Sequence, residues 1–237
     1  MSRPSRTAWL IGGSLFSVAA IGFGAFNLVD LLAHEDHHVH VEFADAIQVV
    51  DIDTDGGSIH IEGTDATTTV IDADISEGLR SGDHSERVEG SRLVVWATCP
   101  AFGSQWCGAT YTIRVPHGVA VQATSSDSSI TVSGIDGELQ LHSSDGGITA
   151  TDVRSPTVAA SSSDGHVALT FAAAPTQVRA TSSDGAVTIV VPDTPDAYRV
   201  DATTSDGTTD VGVRTDPAST RVIDAHSSDG RVTVRYP

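Results

Sequence analysis

The chain has 237 residues, of which 39% are hydrophobic and only 5% aromatic, so its core must be built from Val, Ile, Leu and Ala. Thirteen arginines, no lysine and 31 acidic residues give a formal net charge of -18. Such an acidic surface repels nucleic acid, which we exclude as a partner. The lack of lysine also excludes Schiff-base chemistry and phosphate binding by a Walker-type lysine.

The N-terminal segment predicts export. Arg3 and Arg6 precede an uncharged run of 23 residues from Thr7 to Val29. A helix of that length extends about 35 Å, enough to cross a ~30 Å hydrocarbon core. Positive charge before the run and acidic residues after it predict a single-pass protein with most of its chain outside the cell membrane. We therefore assign 1–7 to a short cytoplasmic N-terminus and 8–33 to a transmembrane anchor or, alternatively, a cleaved signal segment.

A histidine-rich and acidic stretch, 34–45, follows the apolar run. It contains residue types that bind transition metals, namely His34, Glu35, Asp36, His37, His38 and His40. Nothing in the neighbouring sequence would hold these side chains in a fixed geometry, so we interpret 34–45 as a solvated linker and predict no metal site.

A repeated turn of the Ser-Asp-Gly type dominates 46–237, and its aspartates are spaced 18, 19, 20, 22 and 23 residues apart. These corner aspartates are Asp127, Asp145, Asp164, Asp184, Asp206 and Asp229. In five repeats a corner glycine follows, and these are Gly146, Gly165, Gly185, Gly207 and Gly230. Ser128 stands in its place in the first repeat. We predict that each glycine supplies a positive φ and each aspartate an Asx turn.

Apolar residues alternate with polar ones on both sides of each corner. Val158 and Ala160 precede Asp164 by six and four residues, and Val167 and Leu169 follow it by three and five. The other repeats have the same pattern, which indicates two half-buried strands joined by a tight corner. Further strands are indicated by DTDGGSIHI at 53–61 and by TTTVIDADI, RLVVWATC and TYTIRVP.

Stacked units of this kind predict an all-β fold, a β-solenoid in which each strand pairs in parallel with its counterpart in the next rung. An antiparallel array of hairpins is the alternative, because Asp-Gly is also a favoured two-residue hairpin turn. Cys99 and Cys107, eight residues apart in CPAFGSQWC, predict a disulfide in an exported chain, with two free thiols as the alternative.

The CP…C segment, the YTIRVP at 111–116 and the following array of Ser-Asp-Gly rungs occur in an order that resembles the bacterial putative-adhesin family of β-strand-repeat envelope proteins. The resemblance covers 46–237. It implies a β-solenoid at the cell surface or envelope, and it carries over no catalytic residue.

These observations favour a membrane-anchored adhesin or envelope scaffold that binds an unidentified envelope or surface ligand. The first alternative is an accessory sensor or regulator in an envelope-stress response. The second is a calcium-binding repeat protein, because the corner aspartates could form a ladder of ligands. One carboxylate in each rung supplies few ligands, however, and turn chemistry alone accounts for the aspartates.

Catalysis is not indicated. The sequence contains no G-x-S-x-G elbow and no H-E-x-x-H motif. His142 and His226 lie on the predicted solvent-facing side of their strands. We therefore predict no enzyme, no catalytic residue and no cofactor.

Overall fold

The computed structural model describes residues 35–77, 81–100 and 107–237, and it contains no helix within these ranges. No described helix could therefore cross a membrane. The predicted anchor at 8–33 lies outside the described residues.

Nineteen strands follow one another along the described chain. The first seven are β1 (Glu35–Phe43), β2 (Val49–Thr54), β3 (Gly57–Thr64), β4 (Thr69–Glu77), β5 (Asp83–Glu89), β6 (Arg92–Thr98) and β7 (Gly108–Pro116). The next six are β8 (Ala120–Ser125), β9 (Ile130–Ser133), β10 (Leu139–Ser143), β11 (Ile148–Val153), β12 (Thr157–Ser162) and β13 (Val167–Phe171). The last six are β14 (Gln177–Ser182), β15 (Val187–Val190), β16 (Arg199–Thr204), β17 (Thr209–Val211), β18 (Val222–Ser227) and β19 (Val232–Arg235).

The strands form two sheets. The ten-stranded sheet has the order β1-β4-β7-β3-β9-β11-β13-β15-β19-β17, and the nine-stranded sheet has the order β16-β18-β14-β12-β10-β8-β2-β6-β5. A rung consists of one strand from the nine-stranded sheet and the next strand along the chain, which lies in the ten-stranded sheet. Equivalent strands of neighbouring rungs pair in parallel, for example β10 with β12 and β11 with β13. These parallel registers confirm the solenoid and exclude the hairpin array.

The core lies between the two sheets and follows the predicted periodicity. Val158, Ala160, Val167 and Leu169 are all at most 3% exposed, and the same positions in neighbouring rungs are buried beside them. In-register pairing therefore stacks each apolar position into a continuous column. These columns account for most of the hydrophobic burial that stabilises the fold.

The rungs do not stack entirely in chain order. The last rung, β18–β19, inserts between β14–β15 and β16–β17, so that β16–β17 forms one end of the solenoid. The displaced rung has Thr209 at a position where the last rung has buried Val232. The more apolar rung thus occupies the covered position. The two longest connectors, which contain Pro192, Pro195 and Pro217, accommodate this crossover.

The opposite end of the solenoid is capped by antiparallel strands. β5 pairs with β6 on the nine-stranded sheet, and β4 followed by β1 extends the ten-stranded sheet beyond β7. Residues 35–43, which the sequence analysis placed in a linker, therefore form an edge strand. Val39 and Val41 alternate with His38 and His40 along this strand. The half-buried valines therefore lie on the core side of the sheet, and these two histidines lie on its outer face.

Candidate functional site

A ladder of buried hydroxyls runs along the corners of the repeats. The residue two positions before each corner aspartate, here called the corner serine, points between the sheets. Its Oγ accepts a hydrogen bond from the backbone N–H three residues later, as from Gly165 to Ser162 at 3.0 Å and from Gly185 to Ser182 at 2.9 Å. The complete set is Ser125, Ser143, Ser162, Ser182, Thr204 and Ser227. The corner serine, rather than the aspartate, closes each turn.

The corner serines also join neighbouring rungs. Ser162 Oγ donates to the carbonyl oxygen of Gly146 at 2.9 Å, and Ser182 Oγ donates to that of Gly165 at 2.9 Å. Both hydroxyls are nearly inaccessible to solvent. Each of these hydroxyls thus satisfies one backbone N–H group in its own turn and one backbone carbonyl in the turn of the preceding rung. Buried backbone groups require such partners.

The corner glycines are required by close packing between rungs. A positive φ occurs, among the described glycines, at Gly57, Gly90 and Gly134 only, so the prediction of positive φ at the corner glycines is wrong. A Cβ added to Gly165 would lie 2.2 Å from the Gly146 carbonyl oxygen, and one added to Gly185 would lie 2.2 Å from that of Gly165. The Gly146 carbonyl oxygen thus accepts the hydrogen bond from Ser162 and also leaves no room for a side chain at position 165.

Ser128 interrupts the glycine series at the boundary of the regular array. The neighbouring corner in space holds Gly57 at φ +104°, so Ser128 faces a backbone unlike that of the other corners. Its side chain is buried, and its Oγ has no hydrogen-bond partner within the described part of the chain.

The corner aspartates point into solvent. All six are exposed, and their carboxylates take part in no hydrogen bond or ion pair that the described residues make. The predicted Asx turns are therefore absent. The aspartate backbone instead continues the ladder between rungs, as when the N–H of Asp164 donates to the Ser144 carbonyl at 3.0 Å. No cluster of three or more His, Cys, Asp or Glu side chains within 35–77, 81–100 and 107–237 has a geometry that could hold a metal ion.

The outer face of the nine-stranded sheet carries a surface depression. Its volume is about 380 Å³, and side chains from β2, β8, β10, β12 and β14 surround it. Gln122, Gln140, Ala159 and Arg179 occupy one row across the sheet, because the parallel registers align them. Ala159 is the short member of this row, so the surface dips between its longer neighbours.

A second row of polar groups runs beside the first. It contains Thr124, His142, Ser161 and Thr181, which are aligned by the same registers. His142 Nδ1 lies 2.9 Å from Ser161 Oγ, an ordinary cross-strand contact between neighbouring rungs. Trp96 continues this row toward the capped end, beyond Asp53. Burial, followed by the nearby charges of Asp55 and Asp51, raises the pKa of Asp53.

Residues 41–235 match a family model described as Toastrack DUF4097. The chain belongs to the Toastrack DUF4097 family. The match begins within β1 and ends at the last residue of β19, so it includes both sheets of the Toastrack domain. This family assignment confirms the resemblance inferred from the sequence.

Three solved structures, all of low sequence identity, resemble the Toastrack domain. A "putative cell adhesion protein" from Clostridium sporogenes aligns with a TM-score of 0.54 at 11% identity, covering 86% of this chain and 100% of that one. A "putative adhesin" from Bacteroides fragilis aligns with a TM-score of 0.44 at 14% identity, covering 85% and 97%. A "putative adhesin" from Parabacteroides merdae aligns with a TM-score of 0.34 at 11% identity, covering 85% of this chain and 95% of that one. No curated protein matches the chain.

The capped end of the Toastrack domain carries a charged cluster on the outer face of the ten-stranded sheet. His38 Nδ1 lies 2.9 Å from an Asp74 carboxylate oxygen, and His40 Nδ1 lies 2.5 Å from one of Asp72. Arg114 donates to Asp72 at 2.7 Å. The His40 hydrogen bond, followed by that of Arg114, lowers the pKa of the Asp72 carboxyl. The two His–Asp pairs join β1 to β4, and the Arg114–Asp72 pair joins β7 to β4.

Cys99 and Cys107 form a disulfide in the Toastrack domain, as predicted, with Cα atoms 5.7 Å apart. It lies at the corner between β6 and β7, where the regular repeats have Ser-Asp-Gly. The backbone N–H of Cys99 donates to the carboxylate of Asp55 at 3.1 Å. The disulfide thus closes the rung nearest the capped end.

Proposed function

We propose that this Toastrack protein is a single-pass membrane protein whose β-solenoid lies outside the cytoplasm and binds an envelope or surface ligand, as an adhesin or scaffold and without catalysis. Family membership and the likeness to a solved adhesion protein support a binding role. The uncharged run 7–29 supports membrane attachment.

The observation that carries the binding proposal is the outer face of the nine-stranded sheet. Side chains from five adjacent strands converge there on one depression, while the corners that hold them are fixed by buried hydroxyls. A rigid surface loses little conformational freedom when it binds, which favours recognition over a broad contact area.

Retention on isolated cell envelopes tests this proposal. The full-length chain is reconstituted in lipid nanodiscs and incubated with envelopes from cells that lack the protein. We expect saturable retention well above that of empty nanodiscs. Retention equal to that of empty nanodiscs would argue against a binding role at the envelope.

The topology is tested with an epitope tag inserted at Gly90. This residue lies in the turn between β5 and β6, where nothing approaches an added Cβ within 4 Å. We expect the tag to be labelled by antibody on intact spheroplasts, and the protein to stay with the membranes after a high-salt wash. Labelling only after the membrane is permeabilised would place the domain inside the cell.

A further inference from the structure

The depression on the nine-stranded sheet combines a neutral floor with regularly spaced hydrogen-bonding groups. Arg92 donates to Asp51 at 2.8 Å and to Gln122 at 2.9 Å, and Arg179 pairs with Asp224 at 3.4 Å. Arg92, Asp51, Arg179 and Asp224 are therefore paired within the sheet, whereas the exposed Asp53 makes no ion pair with the described residues. This local balance contrasts with the net charge of -18 for the whole chain.

Apart from Asp53, the groups that remain in the two rows are amides, hydroxyls and an imidazole. Gln140 and His142 are exposed on β10, and Ser161 and Thr181 follow on the next two strands. Such side chains both donate and accept hydrogen bonds, as a polyhydroxylated ligand requires. Half-buried Trp96 adds an aromatic surface to the same row, and tryptophan offers an apolar face beside a polar edge.

The rows run along the solenoid axis with a spacing of about 4.8 Å between strands. This spacing is close to the length of one pyranose unit in an extended β-1,4-linked chain. Adjacent sugars of such a chain are turned over relative to each other, so one sugar lies over each rung and alternate sugars present the same edge to the sheet. An anionic polymer would instead be repelled by the acidic molecule as a whole.

The outer face of the ten-stranded sheet differs because its equivalent row in the regular rungs contains no amide side chain. Its equivalent row consists of short side chains, namely Thr131, Thr149, Ala168, Thr188 and Thr233. Ala168 belongs to the same rung as Ala159 and also faces outward. The two faces of one rung thus provide a matched comparison.

We infer that the depression around Ala159 binds a neutral, extended β-1,4-linked glycan whose chain lies across the strands, parallel to the solenoid axis. The inference rests on the binding role proposed above and assigns it a surface and a ligand class. The sides of the depression are formed by Gln122, Gln140 and Arg179, which contact one edge of the sugar chain. The opposite edge contacts His142 and Ser161 in the second row.

Fully N-acetylated chitohexaose, called chitohexaose below, is the probe for this site, and maltohexaose is the control for the linkage. Both are neutral hexasaccharides, but the α-1,4 linkage coils the maltohexaose chain away from a straight row. Cellohexaose, a β-1,4-linked hexamer of glucose, controls for the acetamido groups and should also bind more tightly than maltohexaose. The full-length protein is purified in a detergent without a sugar headgroup and titrated by calorimetry. We expect chitohexaose to bind at least about tenfold more tightly than maltohexaose. Absent or equal binding of the two sugars would overturn the inference.

Two alanine replacements in one rung locate the site. Ala159→Arg fills the depression, whereas Ala168→Arg adds the same group to the opposite face. We expect the first to weaken chitohexaose binding at least about tenfold and the second to leave it unchanged. Gln140→Ala removes one amide without filling the space, and we expect binding to weaken several-fold. Equal affinities of the two arginine variants would contradict the assignment.

Repeating the envelope retention assay separates this inference from the proposed function. If Ala159→Arg protein that no longer binds chitohexaose is also lost from envelopes, the glycan site accounts for the binding role. If that variant is still retained on envelopes, the glycan site does not explain the retention, and the glycan assignment fails. The proposed binding role is then unaffected. If wild-type protein is not retained at all, the proposed function itself fails.

Discussion

At the scale of single residues, corner serines such as Ser162, Ser182 and Ser227 each satisfy two backbone groups at once. Ser162→Ala would remove the acceptor of the Gly165 N–H and a donor to the Gly146 carbonyl oxygen. We expect a loss of about 1–3 kcal/mol in the free energy of unfolding, the usual cost of such groups. Ser163→Ala, at the exposed neighbouring position, should change it by less than about 0.5 kcal/mol. Urea denaturation measures both, and equal effects would contradict the role of the corner serine.

The corner glycines lead to a second residue-scale expectation. Gly165→Ala places a Cβ 2.2 Å from a backbone oxygen, so the rungs must move apart. We expect a destabilisation of about 1–3 kcal/mol, as for other overpacked sites. Gly118→Ala is the matched control, because nothing lies within 4 Å of an added Cβ there. Thermal melts that rank the two variants equally would show that close approach is not the constraint.

The corner aspartates distinguish a structural turn from a calcium site. Because the Asp164 carboxylate is exposed and bonds to no described residue, Asp164→Asn should change the unfolding free energy by less than about 0.5 kcal/mol. Calcium should leave the melting temperature of both proteins unchanged, since a ligand stabilises a protein only by binding its folded state. A calcium-dependent rise in the wild type that is lost in the variant would favour the calcium-binding alternative.

The sequence contained a signal for the corner serine that the prediction did not use. Strand periodicity places the residue two before each aspartate on the buried face, and a buried hydroxyl requires a partner. Asx-turn chemistry explained the aspartate without reference to the neighbouring rung. The glycine was misassigned for the same reason, because its constraint comes from a carbonyl about 19 residues away in the chain.

At the scale of elements, the end rung β16–β17 is the least protected part of the array. Val200 and Ala202 are only half-buried, and Val211 is 39% exposed, whereas Val178 and Ala180 of β14 are fully buried. Each strand of this rung also has one unpaired edge. We expect amide hydrogen exchange in 199–204 to be at least about tenfold faster than in 177–182. Equal protection would mean that another molecule covers this end.

Strand positions followed from the sequence, but the order of the rungs did not. Period-two alternation located the regular strands, and the buried columns confirm it. Chain order suggested that the rungs stack sequentially. Instead, the last rung, β18–β19, lies between β14–β15 and β16–β17. Two clues were present: the polar Thr209 at a core position and the longest connectors beside it. The strand at 35–43 was missed because it pairs with β4, whose residues lie 26 to 42 positions further along the chain.

At the scale of the whole molecule, the solenoid has two unequal ends and two unequal faces. Strands β1, β4 and β5 and the disulfide close one end, whereas no further strand of the described residues pairs with the outer edges of β16 and β17 at the other end. The ten-stranded sheet presents mostly short hydroxyl side chains, and the nine-stranded sheet presents the depression around Ala159. The sequence predicted the scaffold and its polar outer positions. It could not predict the depression, which depends on side chains from separate rungs.

Site-specific photo-cross-linking in intact cells tests most directly whether the protein acts by binding through the nine-stranded sheet. A photoreactive amino acid replaces Gln140 on that sheet or, in the control, Thr188 on the outer face of the ten-stranded sheet. We expect irradiation to shift the Gln140 variant to higher mass by adduct formation and to leave the Thr188 variant unchanged. Adducts from Thr188 alone, or from neither position, would contradict binding through this face.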